Sequence, residues 1–513
     1  MAGTRHAQRS DTAVPAQSPS AQSPHSVPVA QPAQVGFVAL FALVISAMVG
    51  GGVFSLPQNM AQHASMGGQL IAWAITGVGM WFIVDTLRIL TIVQPDLKDG
   101  LYSYARYGFG GFVGFLVAYG YWICNCFSLV AYGVLVMSTM DIFLPGTFIN
   151  GNNLLSVLVS SAIMWLMVGI SMLGVTTGAL INVVGTVCKI VPVVVFIIAM
   201  LTLFRGGIAL HDFWGMAADG APLAFDLSRV GSQVSGSMLV TLWLFIGMEG
   251  AVVVSGSARS SKDVSRATVA GYLTVLVLYV LVSILPLGVY DMDALGAMPN
   301  PSMSIIMGER FGTWGGAMVN VGVIVSVLFA WLVWTIMISQ MPLFAARDGL
   351  FPRSFCRQNR HGAPAVGLLW TGVVCQVLFL VCHFVQGDAW NVMISITSVM
   401  AMPCYLLCCL YLWRLVRRRP TLFAAGGVTR RRALAVGILG SLFSLFLVYS
   451  AGLHYLMVAC ALFAIGLPIY AVARRQRAPG ERFLSRRELI LFAAIVVVGV
   501  IGVVGTWRSG MFG

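Results

Sequence analysis

The feature that most constrains this chain is a glycine triplet inside an apolar segment long enough to cross a bilayer: Met48-Val49-Gly50-Gly51-Gly52-Val53-Phe54-Ser55-Leu56-Pro57. Each glycine in a helix interior costs about 1 kcal/mol against alanine, and in hydrocarbon the freed peptide groups find no water. Non-helical backbone at membrane depth persists only where it lines a cavity or is buried in protein. The stretch therefore reads as a helix broken to present bare amides to a ligand. The competing reading is tight helix packing through small residues. A second stretch, Thr241-Leu242-Trp243-Leu244-Phe245-Ile246-Gly247-Met248-Glu249-Gly250-Ala251, repeats the mid-span glycines and adds a carboxylate. Interrupted segments at corresponding places in two halves point to the binding site of a transporter.

Hydrophobic residues make up 58% of the 513 and charged residues 9%, against about 25% charged in a soluble domain, so the chain reads as an all-α, polytopic membrane protein. The net charge of +13 sits in short clusters between apolar spans, which is the pattern of cytoplasmic loops and not of a nucleic-acid surface. Most cysteines, Cys404, Cys408 and Cys409 among them, fall inside the spans and read as small apolar packing residues. No disulfide, metal-ligand spacing or cofactor motif is inferred.

Residues 1–34 are rich in Ala, Gln, Ser and Pro with no apolar run, and are expected to be a disordered cytoplasmic tail without a secretory signal. A spanning helix needs about 20 mostly apolar residues. Thirteen segments qualify: 36–61, 69–92, 111–140, 154–175, 178–204, 233–258, 268–289, 315–344, 365–386, 391–413, 433–452, 455–473 and 488–507, the last on hydropathy alone. With the N-terminus inside, 24 of the 30 basic residues fall in inward segments, and only Arg205, Arg229, Arg310 and Arg508 face outward. The positive-inside rule thus sets the orientation, and thirteen spans put the C-terminus in the periplasm.

The two remaining basic residues lie within spans. Arg88 is one turn from Asp85 near the inner end of span 2 and can pair with it. Lys189 lies near the middle of span 5, and Glu249 in the middle of span 6. Intramembrane ionisable groups read as functional by default, here in coupling or gating; the other reading is a buried polar pair that holds helices together. Spans 1–5 and 6–10 can be laid over one another, each half opening with an interrupted helix. The expected organisation is a five-plus-five inverted repeat, 35–205 and 206–416, followed by C-terminal helices in 417–513.

At a helix break, the half-helix N-terminus offers free N–H groups and a positive dipole end, which suits a carboxylate. The backbone around Met48, Gly50, Gly51 and Gly52 is the candidate for that role. Carbonyls near Trp243 and Ile246 can accept from an ammonium group. A site that takes both describes an amino acid. Trp243 before the second break and Trp334 in span 8 can present a ring face to a cation, while Trp122 and Trp331 are assigned to packing.

Several motifs carry a family resemblance: Gly50-Gly51-Gly52-Val53-Phe54-Ser55-Leu56-Pro57-Gln58-Asn59-Met60-Ala61, Gly120-Tyr121-Trp122-Ile123, Trp243-Leu244-Phe245-Ile246-Gly247-Met248-Glu249-Gly250-Ala251, Pro299-Asn300-Pro301-Ser302-Met303 and Arg347-Asp348-Gly349-Leu350-Phe351-Pro352. From about residue 35 to 475 the chain resembles the amino acid–polyamine–organocation transporters, and within them the bacterial arginine/ornithine antiporters. The resemblance implies the LeuT-like five-plus-five fold with alternating access. It implies that the glycine break takes the substrate carboxylate, that Trp243 closes over substrate, that Trp334 stacks a guanidinium, and that Tyr121 is a substrate-side aromatic. It gives Glu249 a gating or proton-response role. It places Lys189 where sodium-coupled cousins bind their ion, hence no sodium requirement. Two positions depart from the pattern. After Tyr121-Trp122-Ile123 the family's amide is lost at Cys126-Phe127-Ser128-Leu129, although Asn125 lies one turn earlier. In span 10 Pro403 is followed by Cys404, with Tyr405 one place late.

The expected function is exchange of external arginine for internal ornithine across a bacterial inner membrane, with a homodimer compatible but not fixed. Alternatives are exchange of another basic amino acid for its amine product, and proton-coupled import. The spans hold no paired acids or activated nucleophile that would make an enzyme, and no folded soluble domain that would make a sensor.

Overall fold

The computed structural model describes residues 36–97, 101–174, 179–217, 219–250, 259–385, 387–423, 427–477 and 484–508. The N-terminal tail and residues 251–258, the distal part of the sixth expected span, lie outside the described residues. Among those described, an isolated bridge between Met216 and Pro222 is the one extended pairing, and the rest of the regular structure is helical.

A helix occupies each of the thirteen expected positions. The first span is α1 (Phe37–Met48) and α2 (Leu56–Ala61), joined through a 3-10 turn over Gly51–Ser55 and bent by 48°. There follow α3 (Met66–Val93), α4 (Leu101–Phe109), α5 (Gly111–Phe143), α6 (Leu154–Met172), α7 (Ala179–Leu203), α8 (Gly206–His211) and α9 (Leu227–Phe245). Beyond the second break come α10 (Ser261–Ile284), α11 (Met292–Gly296), α12 (Ser302–Phe311), α13 (Thr313–Arg347), α14 (Ala365–His383), α15 (Ala389–Arg418), α16 (Arg430–Ser450), α17 (Gly452–Arg477) and α18 (Arg486–Arg508). Ten described helices are long and apolar enough to cross a membrane, and the bent pair makes an eleventh. The remaining two positions hold α9, which runs into its break, and α18. The fold is the five-plus-five transporter core, with α16 to α18 added.

Hydropathy does not reveal α4, α8, α11 and α12, which are too short to span. α4 lies between α3 and α5 and packs on α5 and α15, and α12 packs on α13. At the core of the molecule α1 packs on α10 and α7, α3 on α9, and α5 on α13 and α15. Polar side chains secure some of these seams. The indole of Trp73 donates to Ser283 Oγ at 2.8 Å, and Arg88 meets Asp85 at 2.6 Å, as the three-residue spacing predicts. Arg432 of α16 shares the same carboxylate at 3.1 Å.

Both breaks are real interruptions of the helical ladder. At the first, Val49 has ψ 86° and Gly50 is extended. At the second, Ile246 leaves the helix with ψ 128° and Gly247 has φ +107°, a left-handed conformation that favours glycine. The two breaks touch: a Cβ on Gly247 would lie 2.6 Å from the carbonyl oxygen of Ala47. Gly247→Ala is therefore expected to destabilise the protein by about 1–3 kcal/mol from backbone strain alone, with the clash added. Thermal melting in detergent checks this against Gly169→Ala, a helical position with open space around its Cβ. Equal melting temperatures would contradict the close approach.

Candidate functional site

The two breaks sit at the C-terminal ends of α1 and α9, where the last carbonyls of each half-helix lose their partners. Two side chains from other helices meet them. Tyr279 of α10 donates its hydroxyl to the carbonyl of Met48 at 2.7 Å, with the carbonyl of Leu244 at 3.2 Å from the same oxygen. Lys189 of α7 is buried, and its Nζ donates to the Ser46 carbonyl at 2.9 Å and to Ser46 Oγ at 3.3 Å. A cation at the negative end of α1 is favourable for the dipole as well as for the carbonyl. Neither contact is visible in the sequence: the depth of Lys189 in its span and the family resemblance mark the residue but not its partner, and Tyr279 carries no signal.

Between the breaks lies a cavity of about 20 Å³ lined by Ala47, Met48, Gly50, Gly52, Asn125, Ser128, Tyr132, Trp243, Leu244, Ile246 and Trp334. Seven of the nine residues expected to bind substrate thus border one space: Met48, Gly50, Gly52, Asn125, Trp243, Ile246 and Trp334. Gly51 points away, towards Leu135 and Val327. Tyr121 is not among the lining residues; its hydroxyl donates to Glu249 instead. Ser128 and Tyr132, one and two turns beyond Asn125 on α5, were not anticipated. Helical spacing from Asn125 would have found them.

That volume holds about one water, because Trp243 fills the site. A Cβ on Gly52 would lie 1.8 Å from Cζ3 of the Trp243 ring, so the indole rests on the bare glycine. Its Nε1 donates to Ser128 Oγ at 3.1 Å. Asn125 Nδ2 donates to the Tyr121 carbonyl at 2.8 Å, one turn back on its own helix. At the second break, the Trp243 carbonyl already accepts from the Ile246 N–H at 3.2 Å.

Glu249 is fully buried and does not line this cavity. Its Oε1 accepts from Tyr121 at 2.5 Å, and its Oε2 accepts from Tyr405 and from the Gly247 N–H, each at 3.2 Å. The carboxylate therefore ties the second break to α5 and α15. Of the two departures from the family pattern, Ser128 faces the cavity, whereas Tyr405 serves Glu249 and Cys404 turns its thiol to the Val117 carbonyl at 3.8 Å.

Above the cavity the ring of Trp243 meets Trp390 edge-on, at 5.3 Å between centroids and 83° between planes. Trp390 is also in the wall of a vestibule of about 640 Å³. Burial raises the carboxyl of Asp388 in that vestibule, opposed by backbone N–H donors from Asn391 and Trp390 and by the Asn300 side chain. Towards the opposite face Asp348 accepts from the Tyr102 hydroxyl at 2.6 Å, pairs with Arg106, and its carbonyl accepts from Arg477 Nη1 at 2.5 Å, beside a cavity of about 590 Å³ bordered by Gln94, Tyr411 and Arg414. Two broken helices meeting at mid-membrane around an aromatic plug, with cavities towards both ends, are the arrangement of a secondary transporter.

Comparison with known proteins agrees with this class. A family model for amino acid permeases matches residues 35–495. An amino-acid transporter of Clostridium perfringens is 43% identical over 471 residues, 92% of this chain and 98% of the relative. The arginine/agmatine antiporter of Chlamydia pneumoniae is 41% identical over 456 residues, 89% and 93% of the two chains, and that of Chlamydia trachomatis is 38% identical over 471 residues, 91% and 96%. The crystal structure of MhsT in complex with L-phenylalanine superposes with a TM-score of 0.58 at 14% identity, covering 82% of this chain and 99% of that one, a likeness of fold. The chain belongs to the amino acid permease family, and it is a multi-span membrane transporter of amino acids.

The contact between Gly52 and Trp243 yields a test. Gly52→Ala forces the indole off its resting place and is expected to lower amino acid flux on the order of 100-fold, as about 1 Å of misplacement does at a reacting or binding centre. Flux in proteoliposomes and melting temperature checks the fold separately. Wild-type flux would contradict the placement of Trp243.

Proposed function

We propose that the protein exchanges external arginine for an internal cationic product of arginine, independently of sodium, across a bacterial inner membrane. One observation carries this reading: Gly50, Gly52 and Trp334 border the same mid-membrane space. Amides at the start of the 3-10 turn suit the carboxylate. The indole of Trp334 suits a guanidinium stacked on its face. Trp243 has to leave Gly52 before a solute fits, and it then becomes the lid. Lys189 keeps a positive charge on the C-terminal end of α1, which supports the loss of a sodium requirement.

Two counter-substrates compete. Ornithine keeps the carboxylate for the glycine amides but lacks the planar group for Trp334. Agmatine keeps the guanidinium but lacks the carboxylate. The names of the chlamydial relatives favour agmatine. The two differ in charge. Arginine for ornithine trades one positive charge for one. Arginine for agmatine exports two for one imported, and an inside-negative 100 mV opposes that by about 2.3 kcal/mol.

Vesicles loaded with unlabelled agmatine or ornithine are expected to take up labelled arginine, with choline replacing sodium at no loss. Slowing by an inside-negative potential identifies agmatine exchange; indifference to potential identifies ornithine. Uptake into empty vesicles would indicate an importer, and binding without flux a sensor. Strong sodium dependence would remove the role given to Lys189.

Trp334→Ala is expected to weaken arginine binding about 2–30-fold, the range of a desolvated cation–ring contact of about 0.5–2 kcal/mol. Equilibrium binding to the purified protein measures this, and unchanged affinity would remove the stacking role.

A further inference from the structure

The cavity of about 590 Å³ lies where the C-terminal ends of α3 and α15 meet α4. Three arginines line it, Arg414, Arg418 and Arg419, against one carboxylate, Asp96. The two helix ends add about half a negative charge each, so the pocket keeps a net positive charge. Among the described residues none of these three arginines is in an ion pair. By contrast, Arg106 pairs with Asp348, Arg432 pairs with Asp85, and Arg477 donates to the Asp348 carbonyl. A concave site with an excess of one sign concentrates the opposite ion, and guanidinium forks match the oxygens of a phosphate.

The wall is also amphipathic. Leu97, Leu415 and Leu422 stand beside the arginines, and α3 and α15 are both long and apolar enough to cross a bilayer. A pocket at the ends of two such helices lies at headgroup depth. Its ligand has to offer negative charge to the arginines and apolar groups to the leucines. Basic pockets between transmembrane helices bind anionic headgroups in this way, whereas a soluble phosphate would use the arginines alone. Tyr107 borders the pocket and is 63% exposed, as suits an aromatic at a membrane interface. The walls are set without a ligand: the Tyr411 hydroxyl donates to Gln94 Oε1 at 2.9 Å, and Arg414 Cζ lies 5.6 Å from the centre of the Phe109 ring.

We propose that this pocket binds the phosphate of an anionic phospholipid from the adjoining leaflet, held by Arg414, Arg418 and Arg419, and that the bound lipid steadies α4. The link to the transport core runs through neighbouring residues of that helix. Tyr107 borders the pocket, while Arg106 lies over the Tyr107 ring, 5.7 Å from its centre, and pairs with Asp348. Tyr102, one turn earlier on α4, donates to the same Asp348. A headgroup that fixes Tyr107 and the contact between Phe109 and Arg414 limits the movement of α4, and with it the release of Asp348. The inference is independent of which amino acid is carried.

The test titrates the purified full-length protein in uncharged detergent with dioctanoyl phosphatidylglycerol, dioctanoyl phosphatidylcholine or glycerol 3-phosphate. Binding is followed by thermophoresis, and hydrogen exchange is followed over residues 101–109. Phosphatidylglycerol is expected to bind saturably and more tightly than the other two, and to slow exchange in that segment. The double variant Arg418→Gln, Arg419→Gln is expected to weaken this binding about fivefold for each arginine removed. The control Arg430→Gln, Arg431→Gln changes exposed arginines of α16 outside the pocket and is expected to bind as wild type does. Melting temperature without lipid checks that both variants are folded, and the comparison of the three ligands in wild type stands without them. Glycerol 3-phosphate binding as tightly as phosphatidylglycerol would overturn the lipid assignment. Phosphatidylcholine binding as tightly, no loss in the Arg418 and Arg419 variant, or an equal loss in the control would overturn the site. Binding without slowed exchange over 101–109 would overturn the steadying of α4.

Discussion

Peptide groups that leave a helix in the middle of a bilayer must find partners inside the protein, and this requirement organises the structure. Tyr279 serves the carbonyl end of α1 and lies within reach of that of α9. Lys189 serves the turn of α1 just before its break, and Glu249 accepts from the N–H of Gly247. Each is a polar side chain from, or tied to, a different helix. The breaks are therefore held in register by α5, α7, α10 and α15 together, and the site forms where four helices agree on one place. Where Gly52 has no such partner, the indole of Trp243 covers it.

This economy has a functional consequence. Groups that satisfy one another in the closed state are the ones a solute has to replace, so binding is coupled to movement of Trp243 from the outset. The rest of the chain biases that movement. Asp348, held by Tyr102, Arg106 and the neighbouring Arg477 contact, ties elements together towards one face, and the vestibule bordered by Trp390 lies towards the other. Reversal requires those polar contacts to break as the outer ones form, which is the two-state behaviour that alternating access demands.

Much of the fold was legible in the sequence. Span length, the Lys and Arg bias and the two glycine breaks are one-dimensional signals with a direct physical cause, and a helix stands at each expected position. The partners of the breaks were not legible. Which way a span faces depends on its rotation and tilt against its neighbours, which an apolar helix with no polar face does not record. Tyr279 and Tyr132 look like any tyrosine in an apolar run, and Tyr405, one place late against the family pattern, has its hydroxyl on Glu249. Tyr121, expected beside substrate, shares that carboxylate. The near absence of free volume was also hidden, since composition does not say whether a tryptophan lines a cavity or fills it.

The central claim is that amides at the start of the 3-10 turn receive the solute once Trp243 lifts away, the Gly50 N–H exchanging its present bond to the Met48 carbonyl, 2.9 Å, for the solute. A structure of the protein with arginine bound tests it most directly. The account requires the arginine carboxylate within hydrogen-bond distance of the amides at Gly50–Gly52, the guanidinium over Trp334, and the Trp243 ring displaced from Gly52. Arginine bound elsewhere in the molecule, with Trp243 still resting on Gly52, would contradict it.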